Sequence, residues 1–252
     1  MTVEANPPLH GVRVIEIAGE ASAFAGRQLA ELGAEVILVE SSEGASARKR
    51  QPFLDGVPDI ERSLYHLHFN AGKRSVLLDL KSNSGVSDLR RLVHSADVLI
   101  ESMTPGFMDA LGIGFESLRI VNPQMLYVTI TPFGQDGPFA EYRGNDLIGA
   151  ASSGLMYLNG FPEDPPNLPG AEQANHMASL AAVSTLLVAV VGRERSDRHS
   201  HRIDISVQEA ASVSTLQTAN ANLYGWHRTI PKRFGIAPTS QGGRSLFKCA
   251  DG

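Results

Sequence analysis

The sequence contains almost no cysteine and has no excess of basic residues. Its one cysteine, Cys249, can form neither an internal disulfide nor a cysteine-ligated metal cluster. Lysine and arginine together number 22 against 27 aspartates and glutamates, which gives the 252-residue chain a net charge of −5. Such a chain lacks the basic surface that binding to DNA or RNA requires. A small ligand with phosphate groups needs only a local cluster of donors, so that class of ligand is not excluded.

Long apolar runs are missing as well. Residues 1–8 do not combine a basic region with an apolar stretch, so we expect no signal peptide. The most apolar segment, Met177–Gly192, contains Ser179, Ser184 and Thr185. It falls short of the roughly twenty apolar residues that a membrane-spanning helix needs. We therefore expect a buried helix there, no association with membranes and a cytoplasmic protein.

Three well-known functional motifs are also absent. The segment after the first predicted strand, Ala18–Ala23, has one glycine and an acidic residue where a dinucleotide site requires G-x-G-x-x-G. The eight histidines show no H-E-x-x-H spacing, and no G-x-S-x-G segment occurs. The sequence therefore predicts neither an NAD site, nor a metal site, nor a serine-hydrolase nucleophile.

Short runs rich in β-branched residues alternate with helical patterns, an order typical of βαβ units. The runs are apolar without strict alternation, as in sheets that helices cover on both faces. The predicted strands are Val12–Ile17, Glu35–Glu40, Ser75–Leu80, Val98–Glu101, Leu126–Thr131 and Arg202–Val207. The predicted helices are Phe24–Leu32, Ser84–Ser95, Met177–Arg195 and Gln208–Tyr224. The predicted fold class is α/β, with a mostly parallel sheet and helices on both of its faces.

The regular pattern fades near the end of the sequence. From Arg228 onward no strong helix or strand pattern is present, and the closing Asp251-Gly252 pair is a hairpin signal without a following strand. We expect residues 1–225 to form one α/β domain. Residues 226–252 are then a linker toward a small domain that is absent or truncated.

Two polar segments are candidates for a site. Lys73 and Arg74 lie on a turn that enters the third predicted strand. They form either a phosphate clamp or an ordinary solvated turn, and both interpretations stay open. Asn145 or Asp146 is predicted to cap a helix that runs to about Tyr157.

Six segments, in chain order, resemble one enzyme family. They are Leu9–Glu16, Ala30–Glu40, the N-x-x-K-R-S turn Asn70–Ser75, Ala96–Glu101, Phe133–Pro138 and Gly144-x-Asp146. Over about residues 9–225 the sequence resembles the family III CoA-transferases, which include formyl-CoA transferase, carnitine CoA-transferase and α-methylacyl-CoA racemase. The resemblance implies the N-terminal part of a Rossmann-like large domain. It also implies coenzyme A or an acyl-CoA as substrate and no permanently bound cofactor.

The resemblance indicates where the catalytic residues would lie, but this sequence has different residues at those positions. In that family an aspartate at the start of the long helix attacks the thioester carbonyl of an acyl-CoA. The matching position here is Asn175, whose neutral amide cannot serve as that nucleophile. The racemase branch has a histidine in Gly-His-Asp, and here Asn145 stands at that position before Asp146. Glu172, about one helical turn before Asn175, is the candidate substitute nucleophile.

The same resemblance indicates where coenzyme A would bind. Ser102 and Met103 replace the last two residues of the family's Glu-Asn-Phe triplet, and Asn70, Lys73 and Arg74 belong to the basic turn. The predicted binding residues are Asn70, Lys73, Arg74, Ser102, Met103 and Arg143.

Three functions are compatible with these residues. The first is CoA transfer between an acyl-CoA and a carboxylate, carried out within a larger assembly. The second is a non-catalytic subunit or paralogue that docks with or stabilises an active partner, which Asn145 and Asn175 favour. The third is a module that carries or senses an acyl-CoA. Because members of the family are longer and interlink as pairs, we expect a homo-oligomer or a hetero-oligomer with a related subunit.

Overall fold

A six-stranded parallel sheet forms the centre of the molecule. The computed structural model describes residues 6–193, 199–216, 220–230 and 232–233. The strands are β1 Arg13–Ile17, β2 Glu35–Glu40, β3 Arg74–Leu77, β4 Val98–Glu101, β5 Leu126–Thr131 and β6 His201–Ser206. Their order across the sheet is β3-β2-β1-β4-β5-β6, and every neighbouring pair is parallel. This arrangement confirms the predicted α/β class and its Rossmann-like sheet.

Helices make the connections between the strands. In chain order they are α1 Glu20–Glu31, α2 Leu64–Phe69, α3 Asn83–His94, α4 Phe107–Ala110, α5 Phe115–Val121, α6 Asp146–Ser152, α7 Leu155–Leu158, α8 Gln173–Arg193, α9 Val207–Leu216 and α10 Asn220–His227. Two short 3₁₀ helices, Ser46–Lys49 and Leu54–Gly56, lie in the loop after β2.

Three strands have the predicted bounds, and the edge strand β3 differs most from its prediction. It ends at Leu77 rather than at Leu80, because it pairs with β2 alone and that neighbour ends at Glu40. After one more backbone bond, from the Leu78 N–H to the Glu40 carbonyl, the chain turns toward α3. The Ser82 side chain then accepts from the Gly85 N–H and caps α3.

Two of the predicted helices are divided. The one predicted from Asn145 to about Tyr157 is wrong in its length, because Gly154 has a φ of 83° and separates α6 from α7. The segment predicted as one helix over 208–224 contains α9 and α10, and residues 217–219 lie outside the described residues. Most of the predicted linker 226–252 also lies outside them.

Each face of the sheet carries its own apolar core. Neighbouring residues of a strand point to opposite faces, so Val14 and Val128 pack beneath α1, α8 and α9, whereas Ile15 and Leu99 pack beneath α3 and α5. Burial of each such side chain stabilises the fold by roughly 1.5–3 kcal/mol. Helices therefore cover both faces, as the unbroken apolar strands predict.

Helix α8 is long and apolar enough to span a membrane by length and composition. In the structure one of its faces is buried, and the small residues Ala174, Ala178 and Ala182 lie in the core. These short side chains let α8 pack closely against α1 and α9. The predicted helix is thus buried on one face only, with Leu180, Val188 and Val191 exposed, and it begins at Gln173 rather than at Met177.

Lys73 lies in the interior, where its ammonium group pairs with a carboxylate instead of facing a ligand. Its side chain is 1% exposed, and Nζ lies 2.7 Å from Oε2 of Glu16 on β1. Nζ also donates to the Ala23 carbonyl and to Oδ1 of Asn70, each at 2.8 Å. Burial raises the pKa of Glu16 and lowers that of Lys73, while the attraction between the two charges opposes both shifts. The pair joins β1, α1 and the turn before β3.

Glu101, the last residue of β4, fixes the turn that follows this strand. Its side chain is buried, and Oε2 accepts a hydrogen bond from the Met103 N–H at 2.6 Å. The Tyr127 hydroxyl approaches the other oxygen at 3.4 Å. Burial raises the pKa of Glu101 to about 7, although the hydrogen bonds from Met103 and Tyr127 act in the opposite direction. Glu101 thus determines where Ser102 and Met103 lie.

The substitution Lys73→Ala should strongly destabilise the fold, because it leaves the carboxylate of Glu16 buried without its counter-charge. We expect a loss of about 3–5 kcal/mol in the free energy of unfolding, measured by urea denaturation. The adjacent Arg74 is the matched control, since its side chain is 78% exposed and pairs with Glu35 at the surface. Arg74→Ala should cost no more than about 1 kcal/mol. Equal losses in the two variants would contradict the assignment of Lys73 to the interior.

A second prediction concerns the pH dependence of stability. Because the pKa of Glu101 rises on folding, its contribution is complete below the unfolded value of 4.5 and is lost as the pH rises through about 7. Glu101→Gln removes this titration. Between about pH 5 and pH 8, the variant should gain roughly 2 kcal/mol in unfolding free energy relative to the wild type. Urea denaturation at both pH values measures this gain, and an unchanged difference between the two proteins would refute it.

Candidate active site

A cavity of about 450 Å³ opens at the carboxyl ends of β1, β4 and β5. In parallel α/β sheets ligands bind at this edge, beside the strands where the winding direction reverses. Here that reversal falls between β1 and β4. The central cavity, as we call it, is lined by Glu20, Ala21, Ser102, Met103, Thr104, Pro105, Ile130, Pro132, Tyr142, Arg143, Gly144, Asn145, Asn175 and Val207.

The floor of the central cavity depends on a close approach between the turns that follow β1 and β4. A Cβ atom added to Gly19 would lie 1.9 Å from the Ser102 hydroxyl oxygen. A residue with a side chain at this position would therefore require the Ser102 hydroxyl to move, whereas the extended backbone itself suits any residue. Sequence analysis noted Gly19 only as the single glycine of a segment that lacks the dinucleotide-binding motif. In the structure Gly19 allows the loop with Ser102 to lie close to the turn that follows β1.

The wall formed by residues 132–144 is held by Asp204 on β6. Its carboxylate accepts from the Thr129 hydroxyl at 2.6 Å and from the Gln135 N–H at 2.8 Å. These bonds tie the start of the loop to the sheet. The loop then returns to the cavity with Tyr142 and Arg143. An acid within a strand therefore has a structural role here.

Two helix N-termini meet at the central cavity. The Asn145 side chain accepts from the Ile148 N–H at 3.1 Å, which confirms it as the cap of α6. The next residue, Asp146, accepts from the Asn175 N–H at 2.9 Å and so connects α6 to the first turn of α8. Burial raises the pKa of Asp146, and that backbone hydrogen bond partly offsets the rise. The cavity therefore faces the positive ends of two helix dipoles.

Asn175 and Asn145, predicted at the two catalytic positions, are brought together in this cavity. The side chain of Asn175 is largely buried, at 7% exposure. Its amide can donate a hydrogen bond to a carbonyl oxygen and accept one from an N–H or O–H group. It carries no charge and cannot attack a thioester as a carboxylate does. The site can therefore bind and orient a carbonyl compound without supplying its own nucleophile at this position.

Glu172 is not among the residues that line the central cavity. One oxygen of its carboxylate pairs with the Arg50 guanidinium. The other accepts a hydrogen bond from the Tyr65 hydroxyl at 2.6 Å. Both contacts would have to break before this carboxylate could act as the substitute nucleophile that the sequence suggested.

The predicted coenzyme A ligands fall into two groups. Ser102, Met103 and Arg143 line the central cavity. The basic-turn residues Asn70, Lys73 and Arg74 do not. Lys73 and Asn70 are bound to each other, and Arg74 reaches out to Glu35 on the sheet edge. The prediction of a phosphate clamp on this turn is corrected by this placement, because the buried carboxylate of Glu16 already holds the Lys73 ammonium group.

A second cavity of about 280 Å³ adjoins the central one and shares Met103 with it. It lies at the ends of β1 and β2 and is bordered by residues that follow β3, including Lys81. Apart from Met103, sequence analysis did not identify the residues that line it. The signal was available, since these residues directly follow the carboxyl ends of predicted strands.

Glu40, at the end of β2, is already occupied by internal contacts. Burial alone would raise its pKa, but hydrogen bonds from Arg48, Ser75 and the Ala45 N–H lower it to about 2. Arg48 binds both carboxylate oxygens, at 2.7 and 2.9 Å. An acid after the second strand binds the ribose in dinucleotide enzymes. Here that carboxylate is committed to Arg48, in agreement with the missing glycine motif.

Comparison with known proteins identifies the family. The succinate–glutarate CoA-transferase of Agrobacterium fabrum is 36% identical over 250 residues, which are 98% of this chain and 62% of that protein. Subunit BbsE of the succinyl-CoA:(R)-benzylsuccinate CoA-transferase of Thauera aromatica is 34% identical, over 95% of this chain and 57% of the subunit. The chain thus spans about three fifths of the length of these relatives.

Solved structures give the same result. The crystal structure of a CaiB/BaiF family protein from Brucella suis matches with a TM-score of 0.86 and 35% sequence identity. The match covers 93% of this chain and 61% of that one. The family model of CoA-transferase family III matches residues 9–252. The chain belongs to CoA-transferase family III.

Proposed function

We propose that this chain provides the acyl-CoA-binding site of a CoA-transferase that works within a larger assembly. The observation that carries the proposal is the central cavity, where two helix N-termini, two asparagine amides and Arg143 face one space. Helix N-termini and amide N–H groups favour the oxygen of a polarised carbonyl. The family membership supplies the thioester as the ligand class.

An acyl-CoA is elongated, and the two adjoining cavities offer an elongated space. Met103 lies at their junction and can contact the pantetheine arm with its flexible side chain. Asn175 would then face the thioester in the central cavity. Lys81 in the second cavity is the cation available for a phosphate group.

The acyl group that suits the central cavity is a dicarboxylic one. Arg143 lines the cavity, and among the described residues it takes part in none of the ion pairs. A guanidinium group without a protein partner is suited to bind the far carboxylate of a succinyl or glutaryl group. The relatives named above act, by their names, on succinate, glutarate and benzylsuccinate.

Asn175 favours a second candidate function, in which the chain binds an acyl-CoA but depends on another subunit for catalysis. Transfer in this family requires a carboxylate oxygen to bond to the thioester carbon while the CoA thiolate leaves. The thiolate then attacks the resulting anhydride, forms an enzyme thioester and releases the free acid. A neutral amide at 175 cannot begin this sequence. One of the two relatives above is itself named as a subunit.

We expect no covalent adduct in the wild-type chain and an adduct at position 175 in Asn175→Asp. The introduced carboxylate stands where the cavity holds the thioester. The measurement is incubation with succinyl-CoA, trapping with hydroxylamine or borohydride and peptide mass spectrometry. Asn145→Asp is the matched control, since it adds the same charge to the same cavity away from that position and should give no adduct. A wild-type adduct at Glu172 would disprove the assignment of the nucleophile position.

Arg143→Ala should weaken binding of succinyl-CoA more than binding of acetyl-CoA, because only the succinyl group carries a second carboxylate. We expect roughly a tenfold loss for succinyl-CoA, equivalent to one charge-assisted hydrogen bond. Titration calorimetry with both thioesters measures this difference. Arg74→Ala removes a cation outside both cavities and should leave both affinities unchanged. Equal losses of affinity for the two thioesters in Arg143→Ala would contradict the proposal that the acyl group is dicarboxylic.

A further inference from the structure

Arg50 and Tyr65 converge on a single carboxylate, that of Glu172. The Arg50 guanidinium pairs with one oxygen and the Tyr65 hydroxyl donates to the other at 2.6 Å. The guanidinium carbon lies 4.0 Å from the centre of the Tyr65 ring, so the two donors are stacked against each other. Burial, followed by the hydrogen bond to Glu172, raises the pKa of Tyr65, which keeps the hydroxyl protonated and able to donate. Two donors held in this way form a preorganised receptor for a carboxylate.

The carboxylate that fills this receptor comes from a strained segment. Ala171 and Glu172 both have positive φ angles, 63° and 56°. Left-handed backbone is unfavourable for a residue with a side chain. The contacts with Arg50 and Tyr65 offset that cost. Glu172 is therefore held in the receptor in a backbone conformation that residues with a side chain rarely adopt.

The receptor lies next to the central cavity. Arg50 Nη1 is 3.8 Å from Oε1 of Glu20, and Glu20 lines that cavity. Glu172 also precedes the cavity residue Asn175 by three positions, and its carbonyl accepts from the His176 N–H at 3.0 Å. A carboxylate that left the central cavity past Glu20 would meet Arg50 next.

We propose that Arg50 and Tyr65 form a binding site for the carboxylate of the free acid, which Glu172 occupies in this structure and yields when that acid binds. The inference rests on the proposed function, because CoA transfer requires a free carboxylic acid as acceptor and releases another. In the closed arrangement Glu172 acts as an internal competitor. Its tether gives it an effective concentration on the order of millimolar, which lowers the apparent affinity for an acid in solution.

Removal of the competitor should therefore expose the site. Binding of ¹³C-labelled succinate to the full chain is followed by NMR line broadening in the wild type and in Glu172→Ala. We expect succinate to bind the variant roughly tenfold more tightly, since the internal carboxylate is gone. The additional substitution Arg50→Gln should abolish the gain, and Tyr65→Phe should reduce it. Glu163→Ala, which removes an exposed glutamate from the preceding loop, is the matched control and should bind as the wild type does.

Two outcomes would overturn this inference. Arg50 can turn to Glu20 once Glu172 is removed, so Glu172→Ala is repeated with Glu20→Gln. The first outcome is succinate binding that is equal in the wild type, in Glu172→Ala and in this double variant. The second is a gain that survives Arg50→Gln.

The same samples separate this inference from the proposed function. Binding of coenzyme A alone is measured by calorimetry on each variant. Succinate binding that follows the expected pattern without any coenzyme A binding would reject the proposed function and keep the carboxylate site. Coenzyme A binding without the expected succinate pattern would reject the carboxylate site and keep the proposed function. Urea denaturation of each variant confirms that the compared chains are folded.

Discussion

The parallel alignment of the six strands is the constraint on which the rest of the structure depends. It brings the turns after β1, β4 and β5 to one edge, where residues as distant in sequence as Glu20, Ser102 and Asn145 line one cavity. The sheet order reverses between β1 and β4, so the helices leave on opposite faces and open a crevice there. At that crevice Gly19 lies close to the Ser102 hydroxyl, and Glu101 holds the Met103 N–H.

Charge pairing decides which cations remain available for a ligand. Lys73 and Arg48 are both buried against carboxylates, because a buried carboxylate without a counter-charge costs several kcal/mol. Arg143 and Lys81 lie in the cavities instead, and the described residues form no ion pair with either. The cations available to a ligand are therefore those that form no ion pair with a carboxylate of the described residues.

The two helix N-termini at the cavity give Asn175 a defined environment. Asp146 accepts a hydrogen bond from the backbone N–H of Asn175 and so fixes the first turn of α8 beside α6. The cavity therefore presents amide and backbone hydrogen-bond donors at two helix N-termini, and the residue at position 175 is an amide rather than a carboxylate.

The sequence by itself determined the class of fold, the bounds of three of the six strands and the place of Asn175 near the start of the long helix. These depend on local apolar periodicity, helix caps and motif order, all of which the chain carries within short segments. It did not show whether a cation pairs with a ligand or with a distant carboxylate. Lys73 and Glu16 are 57 positions apart, and only the folded sheet brings them to 2.7 Å. The same holds for Glu172, whose partners come from the loop after β2 and from α2. Such pairings depend on burial, which is a property of the tertiary structure.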